Sequence, residues 1–297
     1  AMAIMARRAT AAVELTAVHR FRDPTYAALT LRMRDPRTKD DALDVARELD
    51  ARGLIRRAAN EGEAERIMVD KYFAWASAGR RVALVTARNA EAQSINDAIQ
   101  QRRVDQGELD SERAVIGKDD QLLLEGDVVQ TRRNDKGRGV ENRAMWTIDR
   151  IESEGVRLVS VTDSGDTRLV PLDYVAEHVH LAYASTVHGV QGESTDAAIV
   201  GPGVDAAGMY VGMTRGRAVN FVIALATDRD AAEDVADRMM RHSIEPTMEE
   251  NRQAAWLELG RAATALREGI EQGTRPQIVK SDPIVSSVRT LGGPSLS

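Results

Sequence analysis

Two hydrophobic periodicities alternate along the first hundred residues. Apolar residues recur every three or four positions in three segments, which predicts helices over residues 24–34, 41–51 and 63–77. Asp23 followed by Pro24 is a favourable pair of helix-start residues. The continuous apolar run at 81–86 predicts a strand buried on both faces, followed by a helix capped by Asn89. Helix, buried strand, helix is the order of a parallel α/β sheet.

The pattern changes between residues 122 and 179. Short β-type runs there are separated by glycines, with no helical periodicity, which predicts a small β-barrel module. The α/β pattern then returns, with strands predicted at 180–184, 197–200 and 221–225 and a helix beginning at Met209. We therefore expect one α/β domain interrupted by an inserted β module. Further helices are predicted at 228–241 and 247–271, followed by a tail rich in proline, glycine and serine.

Composition narrows the class of protein. The chain has 297 residues and a formal net charge of −6, so nucleic-acid contact requires a local basic patch. It has no cysteine, and its five histidines are scattered, which excludes disulfides and thiolate metal sites and gives no metal-binding motif. No apolar run is long enough for a membrane span or a signal peptide. We expect a cytoplasmic protein that has no membrane contact.

Three segments contain candidate chemistry. The loop 184–194 is dense in hydroxyl, amide and glycine groups, which suits contact with a phosphate chain but is also typical of a glycine-rich turn. The segment 209–217 places Arg215 and Arg217 behind an apolar helix start, either as phosphate ligands or as a solvated helix end. The third segment, 15–21, contains Arg20 and by itself indicates no function.

Together, in this order, the segments resemble the second RecA-like domain of a superfamily 1 helicase of the RecD-like 5′→3′ branch. T-V-H-x-x-Q-G at 186–192 is similar to motif V of that family, Y-V-x-M-T-R-G-R at 210–217 to motif VI, and L-T-x-V-x-R-F at 15–21 to a motif with a phosphate-sensing arginine. The β insertion lies where that branch has an SH3-like module. Residues 131–134, 146–148, 173–175 and 215–217 resemble the helicase half of TraA-type (MobF class) conjugative relaxases.

The resemblance implies a domain order. Residues 1–121 would be the first part of the RecA-like domain, 122–179 the SH3-like insertion and 180–226 the second part with motifs V and VI. Residues 227–272 would be C-terminal helices and 273–297 a flexible tail.

The resemblance also implies site residues. Arg215 would be the arginine finger and Arg20 a second γ-phosphate contact, both catalytic. The nucleotide cleft would also include Gln191, Gly192 and Glu193, although the family usually has its acid one position later, where this chain has Ser194. DNA contacts would come from three places: the end of the first buried strand, motif V and the inserted module (Thr86, Arg88, Asn89, Thr186, His188, Arg132 and Arg133).

The inserted module supports its part of this interpretation by charge. Residues 131–143 contain five basic side chains against two acidic ones, as a local phosphate contact requires, although a soluble hairpin tip has the same composition. Trp146 is a candidate for base stacking or for the core of the module.

No phosphate-binding G-x-x-x-x-G-K-[ST] loop and no strand ending in Asp-Glu occurs in the sequence. We therefore expect ATP and Mg²⁺ to be used only by a longer parent protein, whose first RecA-like domain and relaxase domain would precede this chain. Single-stranded DNA would be the other partner. Two alternatives remain: a non-catalytic single-strand-binding module of degenerate helicase fold, and a fragment of a stand-alone RecD-like repair helicase.

Overall fold

The computed structural model describes residues 21, 23–190, 195–226 and 230–241, and the elements below are those of this part of the chain. The helices are α1 (Pro24–Arg34), α2 (Lys39–Ala51), α3 (Glu61–Ala76), α4 (Asn89–Asp105), α5 (Leu172–His178), α6 (Ala206–Met213) and α7 (Ala231–Met239). The strands are β1 (Ile55–Ala58), β2 (Val82–Thr86), β3 (Ala114–Ile116), β4 (Leu122–Leu124), β5 (Val128–Thr131), β6 (Met145–Glu152), β7 (Gly155–Ser160), β8 (Thr167–Val170), β9 (Val179–Leu181), β10 (Ala184–Thr186), β11 (Thr195–Val200) and β12 (Gly216–Leu225). The helix predicted at 247–271 lies outside the described residues.

A five-stranded sheet in the order β1-β12-β11-β2-β10 forms the centre of the α/β domain, and every pair in it is parallel. Its strands are buried on both faces because alternate residues face different helices. Leu84 packs in a cluster with α3 and α4, whereas its neighbour Val85 packs with α1, α2, α6 and α7. This confirms the expected α/β fold class, with a parallel sheet between two helical layers.

The inserted module is a five-stranded antiparallel sheet in the order β8-β7-β6-β5-β9. Its buried residues, such as Ile148 and Leu158, belong to the same hydrophobic cluster as α3 and α4. The module therefore shares a continuous core with one face of the α/β domain. Trp146 is 3% exposed and its indole N–H donates to the Thr131 hydroxyl (3.3 Å), so its ring belongs to the core.

Two sequence-based boundaries in this region were wrong. The run 180–184 was expected to be one strand of the α/β domain, but residues 179–181 pair with β5 in the inserted sheet and only 184–186 join the central sheet. The prediction of a module without helices missed α5, which begins after Pro171 and buries Tyr174 and Val175. Proline at this point suits a helix start, and the seven-residue helix is too short to show a clear periodicity.

Two helix ends also differ from the expectation. Asn89 is the first residue of α4 rather than its cap, because the backbone N–H groups of Ala87 and Arg88 donate to the Glu91 carboxylate (3.1 and 3.3 Å). The helix predicted to begin at Met209 begins at Ala206 and ends at Met213. Arg215 therefore follows the C-terminus of α6, where the structure turns into β12.

Helix α4 holds both ends of the insertion through its side chains. Asn96 accepts from the Ala184 N–H (2.7 Å) and donates to the carbonyls of Leu181 and Ala184 (3.2 Å each). Gln100 donates to the Leu122 carbonyl (3.0 Å), and Arg103 donates to the Gly126 carbonyl (2.9 Å). The start and the end of the inserted chain are thus attached to one helix of the α/β domain.

A buried arginine connects α7 to the carboxyl ends of the central strands. The side chain of Arg238 is 1% exposed and donates to the carbonyls of Ile223 (2.6 Å), Gly201 (2.8 Å) and Val204 (3.1 Å). Burial lowers its pKa to about 10, and Asp234, 3.7 Å away, opposes that shift. The guanidinium thus satisfies three buried carbonyls, one in β12, one directly after β11 and one in the loop that follows β11.

None of the helices in the described ranges is long and apolar enough to cross a membrane.

Replacing the buried arginine should destabilise the domain. Arg238→Met leaves three buried carbonyls without donors and Asp234 without its partner, so we expect a loss of roughly 3–5 kcal/mol in the free energy of unfolding. Urea denaturation followed by circular dichroism measures this. Arg241→Met, at an exposed position just beyond the same helix, is the matched control and should change stability by less than about 0.5 kcal/mol. Equal stability of the two variants would contradict the prediction.

Candidate nucleic-acid interface

The carboxyl edge of the central sheet opens into a cleft against the inserted module. Thr86 and Thr186 are the last residues of neighbouring strands β2 and β10 and are direct register partners. A cavity of about 160 Å³ lies beside them. Its polar lining comes from α4, the segment before β4, the inserted module and motif V (Asn89, Gln93, Lys118, Asp119, Arg132, His180 and Thr186). Three of the predicted DNA contacts, Asn89, Arg132 and Thr186, are therefore brought together from distant parts of the sequence.

The two threonines differ in exposure. Thr186 is half-buried and lines the cleft. Thr86 is 1% exposed, and its hydroxyl donates to the Arg88 carbonyl (3.1 Å). The Thr86 side chain thus fixes the chain direction between β2 and α4, while Asn89, at the first position of α4, is exposed.

Arg88 is exposed but paired. Its guanidinium contacts the carboxylates of Glu91 (2.6 Å) and Glu61 (3.4 Å). Hydrogen bonding to Glu91 and the charges of Glu91 and Glu61 raise its pKa. A phosphate at this position would compete with two carboxylates, so Arg88 offers less net attraction than an unpaired arginine would.

The positive charge of the cleft comes from the inserted module. Burial, with Arg132 close by, lowers the pKa of His180 to about 4. The imidazole is therefore neutral at pH 7, and its Nδ1–H donates to the Leu181 carbonyl (2.8 Å). Arg132 remains as a cation of the cleft, because Lys118 is paired with Asp119 in the same lining (2.5 Å).

Gln130 connects the inserted module to motif V and was not identified from the sequence. It is fully buried, and its amide N–H₂ donates to the carbonyls of Gly189 (3.1 Å) and Arg143 (3.3 Å). Its carbonyl accepts from Arg132 (3.1 Å). One side chain therefore fixes the motif V turn and orients Arg132. The available signal was an uncharged amide inside the apolar run of β5.

Gly189 lies in the turn that follows β10. A Cβ atom at this position would lie 2.8 Å from the Ser185 Cβ and 3.3 Å from the Thr186 carbonyl. The turn is therefore packed too closely on β10 to hold a longer side chain without moving. His188, one position earlier, is exposed.

Arg133 does not reach the cleft. It lines a separate cavity of about 400 Å³ with Lys136, Tyr174 and His178, and its guanidinium lies 3.2 Å from the Nε2 atom of His178. Arg138 in the same cavity is paired with Asp135. The basic loop predicted at 131–143 thus divides its charges between different surfaces.

Arg215 lies at the opposite, amino edge of the sheet. It directly precedes β12, it is half-buried, and its Nε–H donates to the Val211 carbonyl (2.9 Å) at the end of α6. Helix α6 approaches the sheet closely at Gly212, because a methyl group there would collide with Val200. The backbone that carries Arg215 is therefore firmly packed.

The remaining predicted nucleotide contacts, Arg20, Gln191, Gly192 and Glu193, lie outside the described residues. Their pairing with Arg215 stays a prediction. Within the described ranges, no group of three or more His, Asp or Glu side chains is placed to hold a metal ion.

The sequence matches no protein-family model and no curated protein. Among solved structures, the chain is similar to Bacteroides Pif1 bound to ssDNA, with 17% identity over 85% of this chain and 57% of that chain and a TM-score of 0.47. It is also similar to the Pif1 helicase from Candida albicans, with 16% identity over 73% of this chain and 56% of that chain and a TM-score of 0.44. The chain thus spans little more than half the length of these proteins. At such TM-scores the similarity does not define a family.

Removing the Gln130 amide should loosen the motif V turn. Gln130→Met keeps the side-chain volume but leaves the buried carbonyl of Gly189 and the part-buried carbonyl of Arg143 without this donor, so we expect a loss of about 2 kcal/mol in the free energy of unfolding. Urea denaturation checks this value. The same change at Gln101, an exposed residue that donates to Asp105, should have almost no effect. A Gln130→Met variant as stable as the Gln101→Met control would show that this amide does not hold the turn.

Proposed function

We propose that the chain is the C-terminal half of an ATP-dependent 5′→3′ DNA helicase or translocase, of the kind found in TraA-type conjugative relaxases. It binds single-stranded DNA at the carboxyl edge of its sheet and supplies the arginine finger Arg215 to a nucleotide held by a preceding RecA-like domain. ATP hydrolysis belongs to the longer parent protein, which contains the phosphate loop and the Mg²⁺ ligands that this sequence lacks.

The observation that carries the proposal is the composition of the carboxyl-edge cleft. Asn89 at the start of α4, Thr186 in motif V and Arg132 in the inserted module are more than 40 residues apart in sequence, yet all three line one cavity. The resemblance to helicases assigns each of them to DNA. Ligands of open parallel sheets bind outside the carboxyl ends of the strands, where these residues lie.

Arg215 supports the ATP-dependent part of the proposal. A guanidinium stabilises the charge that spreads over phosphoryl oxygens during transfer, provided that its position is fixed beforehand. The Val211 carbonyl holds one nitrogen of the group, and the close packing of α6 at Gly212 holds the backbone. The nucleotide contact of Arg215 and the carboxyl-edge DNA cleft would then lie at opposite edges of the sheet.

A second candidate function is a non-catalytic module that only binds single-stranded DNA. The cleft supports it equally well, because DNA contact requires no arginine finger. The preserved Arg215 in a closely packed turn favours the motor, since a module that only binds DNA has no use for this residue. A fragment of a stand-alone repair helicase would share the same cleft and the same arginine.

Neutralising Arg132 should weaken DNA binding. We expect Arg132→Gln to reduce the affinity for a fluorescein-labelled oligo-dT about fivefold, and to lower the slope of log K against log salt by about 0.7, the value for one lost phosphate contact. Fluorescence anisotropy at several salt concentrations measures both quantities. Arg150→Gln, which removes an exposed charge from β6 of the same module, should leave both unchanged. Equal affinities for the two variants would remove Arg132 from the interface.

Replacing the proposed arginine finger distinguishes the two candidate functions, the helicase motor and the module that only binds DNA. In the full-length parent, Arg215→Ala should abolish DNA-stimulated ATP hydrolysis, a loss of at least about 10³-fold, while changing oligonucleotide affinity less than twofold. A coupled ATPase assay and anisotropy give the two readings. The isolated chain should hydrolyse no ATP. Hydrolysis by the isolated chain, or by the Arg215→Ala parent at the normal rate, would contradict the proposal.

A further inference from the structure

A second and larger groove follows the amino edge of the central sheet. Its volume is about 1110 Å³, and it lies between the beginnings of β2, β11 and β12 on one side and the inserted module on the other. Arg81 directly precedes β2, and Thr195 is the first residue of β11. Because the strands are parallel, the length of β2 separates this groove from the carboxyl-edge cleft by about 13 Å.

The groove is strongly basic on a chain that is acidic overall. Arginines outnumber carboxylates five to two in its lining (Arg80, Arg81, Arg143, Arg168 and Arg217 against Glu141 and Asp166). Asp166 is already paired with Arg168. The local charge is therefore opposite in sign to the net charge of −6.

Four of these arginines have no side-chain partner among the residues that the structure describes. Within the described part of the chain, the side chains of Arg80, Arg81, Arg143 and Arg217 make no ion pair or hydrogen bond, and all four are exposed. Arginines elsewhere are commonly neutralised by a nearby carboxylate, as Arg57 is by Asp50 (2.7 Å). A cluster of unpaired guanidinium groups costs electrostatic repulsion unless an anion binds there.

One of these arginines has an unfavourable backbone conformation that its neighbours hold in place. Arg143 has a φ of +69°, which is unfavourable for a residue with a side chain. Its N–H donates to the Thr131 carbonyl (2.6 Å) and its carbonyl accepts from Gln130, so both neighbours fix the turn. Strain of this kind persists where the surrounding structure determines the position of a functional side chain.

The arrangement of the cations indicates an extended ligand. They come from four separate elements: the turn before β2, the start of β12, the turn before β6, and β8. Cations on four elements along one groove suit an extended anion better than a single small one. The groove also offers hydroxyl and amide groups at Asn142, Ser160 and Thr162. Such donors suit the acceptor oxygens of a phosphodiester chain.

The aromatic residues of the groove are unavailable for stacking. Trp146 and Tyr183 are buried, and the half-buried Tyr72 packs edge-on against Tyr183, with ring centroids 5.6 Å apart. A ligand would therefore be held by its charged backbone without recognition of its bases. Binding of this kind is independent of sequence and strongly dependent on salt.

We infer that the amino-edge groove is a second nucleic-acid site, which holds the sugar–phosphate backbone of a strand through Arg80, Arg81, Arg143 and Arg217. The inference rests on the proposed function only in taking nucleic acid as the polyanion. The carboxyl-edge cleft and this groove would contact separate segments of one strand, or two strands, on either side of β5 of the inserted module.

A charge-neutralising pair of substitutions tests the site. In the complete chain, the double variant Arg80→Gln, Arg217→Gln should bind a fluorescein-labelled 30-nucleotide oligo-dT about tenfold more weakly, and its slope of log K against log salt should fall by about 1.4, for two lost phosphate contacts. The matched control is Arg37→Gln, Arg66→Gln, which removes the same charge from two exposed positions outside the groove. It should keep the affinity and the slope of the unmodified chain. Circular dichroism melting verifies that both variants are folded.

The outcomes separate this inference from the proposed function. Unchanged DNA affinity in the groove variant, or an equal loss of affinity in the groove and control variants, would show that the groove is not a nucleic-acid site. If the groove variant binds DNA more weakly and Arg132→Gln has no effect, the groove is a nucleic-acid site and the cleft is not. The reverse result would support only the cleft. No binding by the unmodified chain would reject both. Polyglutamate tests whether the groove binds acidic protein instead. If polyglutamate competes as well as unlabelled oligo-dT at equal charge, and only when the groove is intact, the groove is a site for acidic protein and the inference is wrong.

Discussion

The polar side chains on the inner side of α4 hold the architecture together, because they attach the insertion to the α/β domain at both of its ends. Asn96 binds the segment between β9 and β10, where the chain returns from one sheet to the other. Gln100 and Arg103 bind the segment where the insertion starts. Without the bonds of Asn96, the backbone groups of Leu181 and Ala184 would be buried without these partners. The positions of Arg132 and His180 relative to Thr186 depend on this attachment.

A buried network strengthens the same junction. The carboxylate of Asp127 accepts from the Tyr183 hydroxyl (2.5 Å), the Gln100 amide (2.5 Å) and the Leu124 N–H (2.7 Å). Burial raises the pKa of Asp127, and these hydrogen bonds oppose that shift. A charged group without partners would be costly at this depth. The network therefore restricts the junction to the one arrangement in which every member has its partner.

The sequence could predict what depends on local signals. Asp23 and Pro24 begin α1 as expected, and the buried run before Thr86 forms the expected central strand. Short elements were not predicted where pairing with a distant strand determines which sheet they join. Residues 179–181 are as apolar as the strand that follows them, and only the available edge of β5 assigns them to the inserted sheet.

The site was predictable to a similar degree. Motif spacing selected Thr186, and the local excess of basic residues selected Arg132. Arg133 lies in another cavity because its side chain extends from the opposite side of the hairpin to that of Arg132, and no pattern in the loop indicates this. The roles of Gln130 and of the unpaired arginines of the groove could not be predicted from the sequence either. A buried amide and an arginine without a carboxylate become visible only when the neighbours in space are known.

Gln130 links the two charged surfaces physically. Its amide N–H₂ donates to the Gly189 carbonyl beside the carboxyl-edge cleft and to the Arg143 carbonyl at the rim of the amino-edge groove, while its carbonyl orients Arg132. A movement of the motif V turn would therefore change the hydrogen bonding of a cation on each side of β5. Because the Gln130 side chain is fully buried, no water replaces a bond that it loses. The cleft and the groove are thus expected to adjust together, since a single uncharged side chain connects both to the same turn.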